Sequence, residues 1–178
     1  MARLAVFASG NGSNMQNLCS YFKDSISVQI ALICTNNHNA GVVEKSKKND
    51  IPLYVFSKSD LENGSVEKNL IKHKIDWIIL AGFLLKISES LVSVFSNRII
   101  NIHPSLLPKF GGKGMYGKNV HKAVISAGES ESGITIHYVN NLYDGGEVIF
   151  QKKCLVEKGD TYSILSEKIQ KLEHLYFP

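Results

Sequence analysis

The sequence predicts an α/β fold, a single-domain doubly wound and mostly parallel sheet with helices on both faces and an antiparallel strand pair near the C-terminus. Before residue 98, short apolar runs alternate four times with segments of helical spacing, which is typical of strand–helix units in an open sheet. The runs are mostly apolar throughout, as expected of strands buried on both faces. After residue 130, an alternating segment, a glycine turn and a further strand-like segment predict the antiparallel pair. At 178 residues the chain suits one domain, 1–178.

The first part of the chain contains five predicted strands and the helices between them. The strands cover residues 4–8, 28–34, 51–56, 77–80 and 98–102. Helical spacing covers residues 15–22, 41–48, 61–71 and 89–95. Ser59 and Asp60 are predicted to cap the third helix, and Asn63-Gly64-Ser65 to interrupt it near its start.

The remainder begins with a glycine-rich loop over residues 111–117, of the kind that closes over ligands or serves only as a connector. A helix is predicted over residues 119–127, closed by Gly128. Strands follow at 132–139 and 148–156, joined through the turn Asp144-Gly145-Gly146. Thr161 is predicted to cap a last helix with an apolar face.

Composition excludes several classes of protein. Hydrophobic residues make up 44% and charged residues 20%, and the net charge of +4 comes from scattered lysines, so no nucleic-acid partner is predicted. Cys19, Cys34 and Cys154 lack metal-ligand spacing and are expected to be buried thiols in a reducing compartment. The first apolar stretch is too short for a signal peptide or a membrane span. We therefore expect a cytoplasmic protein.

The stretch Gly10-Asn11-Gly12-Ser13-Asn14 follows the first strand and precedes the first helix. Glycines let the backbone approach an anion, and the free amides of a helix start point towards it, which favours a phosphate site. A tight turn without a ligand is the alternative. A dinucleotide site is rejected because Met15 stands where a third glycine belongs and the second strand ends in Thr35-Asn36-Asn37 rather than an acid.

The fifth strand leads into Asn101-Ile102-His103-Pro104-Ser105-Leu106-Leu107-Pro108. A strand has a period of two residues, so Asn101 and His103 project from the same side. Pro104 and Pro108 prevent a helix from following. A lone Asn-x-His is more often a polar strand end than a catalytic pair, but the complete stretch closely resembles the motif of folate-dependent formyltransferases.

Together with the Gly-Asn-Gly-Ser-Asn loop, the resemblance extends from Leu4 to about Glu173 and implies a Rossmann-like formyltransferase fold. It implies transfer of the formyl group of 10-formyltetrahydrofolate, the co-substrate, to the amine of glycinamide ribonucleotide in de novo purine biosynthesis. The amine would attack directly, through a tetrahedral oxyanion. The small-molecule substrates would be the only partners of a monomer or homodimer.

The resemblance also implies the residues of the site. The catalytic residues would be Asn101, His103 and Asp144, chemically suited to support an oxyanion and to accept the amine proton. The ribonucleotide phosphate and ribose would be bound by Gly12, Ser13, Asn14 and Glu173. The folate would be bound by Leu84, Leu85, Lys86, Ile87, Asn140, Asn141, Leu142 and Tyr143.

The other histidines are given no catalytic role. His137 is expected to be packed or hydrogen-bonded on its strand, and His38, His73 and His121 are expected at the surface. They lack ligand spacing, so no metal is predicted.

Three alternatives share part of this pattern. A hydrolase that releases formate from the same folate would share the catalytic residues but usually has an additional N-terminal regulatory domain. A transfer-RNA formyltransferase would be expected to have a C-terminal nucleic-acid-binding domain. A non-catalytic binder of phosphate ligands would leave Asn101, His103 and Asp144 unexplained.

Overall fold

The structure is a computed structural model that describes residues 1–178, and its contacts divide the chain into two compact units. The first unit comprises Met1–Ile100 and Pro178, and the second comprises Asn101–Phe177. None of the helices combines the length and the apolarity needed to span a bilayer.

The first unit is built from strand–helix repeats. Its elements are β1 (Ala2–Phe7), α1 (Ser13–Tyr21), β2 (Val28–Thr35), α2 (Gly41–Lys48), β3 (Leu53–Val55), α3 (Lys58–Glu62), α4 (Ser65–Lys72), β4 (Trp77–Leu80), α5 (Glu89–Val94) and the first residues of β5 (Ile99–His103). The strands follow the order β3-β2-β1-β4, and β1 pairs in parallel with both β2 and β4. Because β1 lies between β2 and β4, its residues Ala5, Val6 and Phe7 are completely buried.

Aromatic packing consolidates one end of this sheet. Phe7 at the end of β1 lies 5.6 Å from the ring of Phe56 and 5.3 Å from the ring of Phe83, both in tilted or edge-on arrangements. Such geometry adds to the free energy gained from burial of the rings. The end of β1, which precedes residues 10–14, and the end of β4, which precedes residues 84–87, are therefore fixed by the same aromatic core.

The break between α3 and α4 occurs where predicted, at Asn63 and Gly64, and Gly64 has a positive φ of 83°. The predicted cap is wrong. Ser57 caps α3 by accepting a hydrogen bond from the Asp60 backbone N–H, while the Asp60 carboxylate accepts one from the Ser57 N–H. Ser59 lies inside the helix, because a capping box needs the acid three residues after the capping serine.

The second unit contains the end of β5, α6 (Lys118–Ser126), β6 (Glu131–Tyr138), β7 (Val148–Leu155) and α7 (Tyr162–Tyr176). β6 and β7 are antiparallel, with a register shift between Ile136 and His137. α7 packs against α6 and β6 and buries Leu165 and Ile169. The parallel strand–helix repeats of the first unit and this antiparallel pair confirm the predicted fold class.

The prediction that His121 lies at the surface is wrong, because this residue is only 5% exposed. His121 follows Val120 and precedes Val124 by three residues, so it lies on the buried face of α6. Burial lowers the pKa of the His121 imidazole, and the positive charge of His103 lowers it further.

Candidate active site

The loop after β5 is held by side chains of the two following strands. The Thr135 hydroxyl donates to the Ser105 carbonyl at 2.6 Å and accepts from the Leu107 N–H at 3.0 Å. Gln151 donates its amide to the Leu107 carbonyl at 2.9 Å. The proline-containing loop is therefore fixed to the sheet directly after His103.

His103 is almost completely buried, at 4% exposure, and both of its ring nitrogens face polar groups. Nε2 lies 2.8 Å from the carbonyl oxygen of Phe110, which accepts, so Nε2 carries a hydrogen. Nδ1 lies 3.6 Å from Oδ1 of Asp144. The imidazole is thus held at Nε2, and Nδ1 faces a carboxylate at a distance longer than a hydrogen bond.

Asp144 reaches this position from the turn between β6 and β7. Its Oδ2 accepts a hydrogen bond from the Gly112 backbone N–H at 2.8 Å, and its side chain is 13% exposed. Asp144 and Phe110 have φ values of 50° and 55°, in the left-handed region that non-glycine residues seldom adopt. Both residues adjoin the His103 imidazole, Phe110 through its carbonyl oxygen at Nε2 and Asp144 through its carboxylate at Nδ1.

Asn101 lies two residues before His103 on β5 and contacts a second buried histidine, His137. The Asn101 Nδ2 atom is 3.0 Å from Nε2 of His137, whose Nδ1 is 2.8 Å from the Tyr138 carbonyl oxygen. His137 Nε2 is also 3.7 Å from Oδ1 of Asp144. The structure therefore brings Asn101, His103 and Asp144 together, with His137 beside them.

The sequence contains a signal for a polar role of His137 that the family resemblance does not include. Thr135 and His137 are polar residues that alternate with Ile134 and Ile136, and all four are buried. Burial lowers the pKa of the His137 imidazole, outweighing the Tyr138 hydrogen bond and the Asp144 carboxylate, which raise it. Two buried polar side chains on one face of a strand indicate a polar network rather than a core position.

The predicted phosphate loop belongs to the first unit. Gly12 has a φ of 72° and stands at the N-cap of α1 without a side chain to cap it. A Cβ added there would lie 2.9 Å from Cγ2 of Val42, and the Gly10 carbonyl accepts a hydrogen bond from the Val42 N–H. The loop is therefore packed against the start of α2, with Ser13 and Asn14 in the first turn of α1.

The predicted folate and ribose residues are divided between the units. Residues 84–87 follow β4 in the first unit, where the Leu84 N–H donates to the Ser9 hydroxyl and the Leu84 side chain is exposed. Residues 140–143 form a turn of the second unit in which the Asn140 side chain bonds the Leu142 N–H and the Gly145 carbonyl. Glu173 lies on α7.

Comparison with known proteins identifies relatives of the whole chain. A phosphoribosylglycinamide formyltransferase of Bacillus subtilis (strain 168) is 35% identical over 184 residues, covering 100% of this chain and 92% of that protein. A chloroplastic phosphoribosylglycinamide formyltransferase of Arabidopsis thaliana is 41% identical over 179 residues, covering 97% of this chain. The chain spans 61% of the length of that plant relative.

Structural comparison agrees with the sequence comparison. The crystal structure of glycinamide ribonucleotide transformylase 1 from Geobacillus kaustophilus is similar with a TM-score of 0.91 at 36% identity, covering 100% of this chain and 95% of that one. The family model described as formyl transferase matches residues 2–178. Because that match includes almost every residue, the chain belongs to the formyl transferase family.

Proposed function

We propose that the chain transfers the formyl group of 10-formyltetrahydrofolate to the amine of glycinamide ribonucleotide in de novo purine biosynthesis. The observation that carries this proposal is the convergence of Asn101, His103 and Asp144 at the end of β5. The names of the Bacillus and Arabidopsis relatives support the choice of acceptor. The single family match over residues 2–178 supports one catalytic domain, 1–178.

Asn101 stabilises the charge that develops on the formyl oxygen when the amine attacks. One hydrogen of its Nδ2 atom is donated to His137, which leaves the second hydrogen for the substrate. A preorganised donor of this kind contributes most when it meets charge that exists only in the transition state.

His103 and Asp144 supply the second stabilising group and the path of the proton. A hydrogen on Nδ1 of His103 is stabilised by the Asp144 oxygen 3.6 Å away and can be shared with the formyl oxygen. Asp144 accepts the proton that the amine loses, directly or through His103. As the new carbon–nitrogen bond forms and the bond to the folate breaks, His103 or Asp144 returns that proton to the folate nitrogen. The amine attacks directly, so neither a Ser nor a Cys nucleophile is required.

The acceptor phosphate is assigned to Gly12, Ser13 and Asn14, and the ribose hydroxyls to Glu173. Gly12 lacks a capping side chain, and the first turn of a helix has N–H groups without helical acceptors, which supports anion binding there.

The folate is assigned to Leu84, Leu85, Lys86, Ile87, Asn140, Asn141, Leu142 and Tyr143. Leu84 is 48% exposed and Leu142 is 69% exposed, and apolar side chains accessible in this way are suited to packing a pterin ring, which supports their assignment.

The remaining features of the proposal concern metals, assembly and location. Catalysis is assigned entirely to side chains, without a metal. The protein acts as a monomer or homodimer on small molecules, without nucleic acid or membrane partners. We place this chain in the cytoplasm. The Arabidopsis relative is named as chloroplastic, and that location is not carried over to this chain.

The test is a product analysis with the purified protein and both substrates. The proposal predicts formylated ribonucleotide and tetrahydrofolate in equal amounts, with activity unchanged by a chelator. Release of formate when the ribonucleotide is omitted would identify a hydrolase instead. Absence of any product, or loss of activity on chelation with recovery on addition of zinc, would contradict the proposal.

A further inference from the structure

The protonation of His137 can be deduced from its two hydrogen bonds. Its Nδ1 atom lies 2.8 Å from the Tyr138 carbonyl oxygen, which can only accept, so Nδ1 carries the hydrogen. A neutral imidazole has one hydrogen, and Nε2 is then an acceptor. The atom 3.0 Å from Nε2 must therefore be a donor, and it is the amide nitrogen of Asn101.

The neutral form of His137 fits its surroundings. The residue is 2% exposed, and desolvation disfavours a charged imidazole there. The charged groups that face it are Asp144, with Oδ1 3.7 Å from Nε2, and His103. A neutral His137 leaves the single carboxylate of Asp144 to compensate a charge on His103.

The contact with His137 determines the orientation of the Asn101 side-chain amide. An asparagine amide has an oxygen end and a nitrogen end of almost equal size, so packing alone does not select between them. An acceptor at His137 Nε2 selects the nitrogen end, and the second hydrogen of that nitrogen then points away from His137. With the amide reversed, two acceptors would face each other in a buried site, which is unfavourable.

We propose that His137 is a positioning residue for formyl transfer, an Nδ1-protonated neutral imidazole that holds the Asn101 amide with its nitrogen towards the substrate oxygen. This inference rests on the proposed function for its kinetic consequences. The hydrogen-bonding arrangement itself does not depend on the identity of the substrates.

The first test measures the arrangement without any activity. In protein labelled with ¹⁵N-histidine, the ring nitrogens of His137 are assigned by comparison with His137→Gln. We expect a protonated-type chemical shift at Nδ1 and an unprotonated-type shift at Nε2 at neutral pH. A proton on Nε2, or on both nitrogens, would overturn the proposal, whether or not the protein transfers formyl groups.

The second test separates positioning from general structural support. His137→Leu removes the acceptor, and we expect kcat to fall about 10- to 100-fold with both KM values within about threefold. His137→Gln restores an amide oxygen as acceptor and should recover most of the loss. His73→Gln, at the C-cap of α4 in the first unit, is the matched histidine control and should keep wild-type kinetics.

The decisive comparison places the same change in an Asn101→Ala background. If His137 acts through Asn101, His137→Leu should cost less than about threefold there, because the group that it positions is already absent. An equal loss in both backgrounds would show that His137 does not act through Asn101.

Two further results have defined meanings. If His137→Leu does not fold, the ring ¹⁵N shifts of His137 in the wild-type protein decide. If wild-type protein transfers no formyl group, the proposed function fails, while the ¹⁵N measurement still confirms or overturns the arrangement of His137 and Asn101.

Discussion

Replacing Asp144 by asparagine removes one negative charge and almost nothing else from the candidate active site. The amide oxygen of asparagine can still accept the 2.8 Å hydrogen bond from the Gly112 N–H, so the loop that carries Gly112 keeps its anchor. The change is confined to the charge that faces Nδ1 of His103 at 3.6 Å.

The magnitude of the effect follows from this distance and from burial. Two unit charges 3.6 Å apart attract each other by about 5 kcal/mol at an effective dielectric constant of about 20. The side chains of His103 and Asp144 are 5% and 13% exposed, so solvent screens this attraction little. Part of the attraction is present before the reaction begins, and we therefore expect Asp144→Asn to lower kcat about 100- to 1000-fold.

The assay is steady-state formyl transfer with each substrate varied in turn. KM values should stay within a few-fold, since Asp144 is not assigned the main affinity for either substrate. The matched control is Asp24→Asn, a change at an exposed turn residue after α1, and it should keep wild-type activity.

The double variant Asp144→Asn with His103→Ala should be little worse than the more damaging single change, because the two residues act as a unit. Turnover within a few-fold of wild type in Asp144→Asn would refute the assigned role.

Three further predictions concern the scaffold. Gly12→Ala forces a methyl group to within 2.9 Å of an α2 side chain at a φ of 72°. It should lower the free energy of unfolding by about 1 to 3 kcal/mol and raise the KM for the ribonucleotide. Gly10→Ala, whose added Cβ meets no atom within 4 Å, should keep wild-type stability, and equal effects of the two changes in a thermal melt would contradict this assignment. Ser57→Ala should cost about 1 kcal/mol in urea unfolding, whereas Ser59→Ala should change stability by less than about 0.5 kcal/mol. Burial raises the pKa of the Cys19 thiol from 9.0 to about 11, so the unfolded chain loses that proton first and stability falls as the pH rises through this range. Cys19→Ser should make that fall shallower in urea titrations, and an unchanged slope would contradict the burial argument.

Much of the fold could be predicted because its signals are local. The α2 helix has the predicted bounds Gly41–Lys48, and β4 has the predicted bounds Trp77–Leu80. Both are set by apolar periodicity and by flanking turn residues, which act within a few positions of the chain. The cap of α3 was also a local signal, since Ser57 and Asp60 have capping-box spacing.

The site was predictable only in part, because its geometry depends on contacts between distant residues. The period of a strand places Asn101 and His103 on one side, but no spacing in the sequence brings Asp144 to them. That assignment came from the family resemblance. The burial of His121 and the contact of His137 with Asn101 depend on how α6 and β6 pack within the second unit, where residues 36 positions apart meet.

The most direct test of the catalytic assignment is a single-turnover experiment with wild type and His103→Ala. Both substrates are supplied at saturation, and their binding is measured separately by calorimetry. We predict that the variant binds both substrates with dissociation constants within a few-fold of wild type. Its rate constant for formyl transfer should be lower by about a hundred-fold or more. A His103→Ala protein that transfers the formyl group at a rate close to wild type would contradict the assignment of the catalytic site to Asn101, His103 and Asp144.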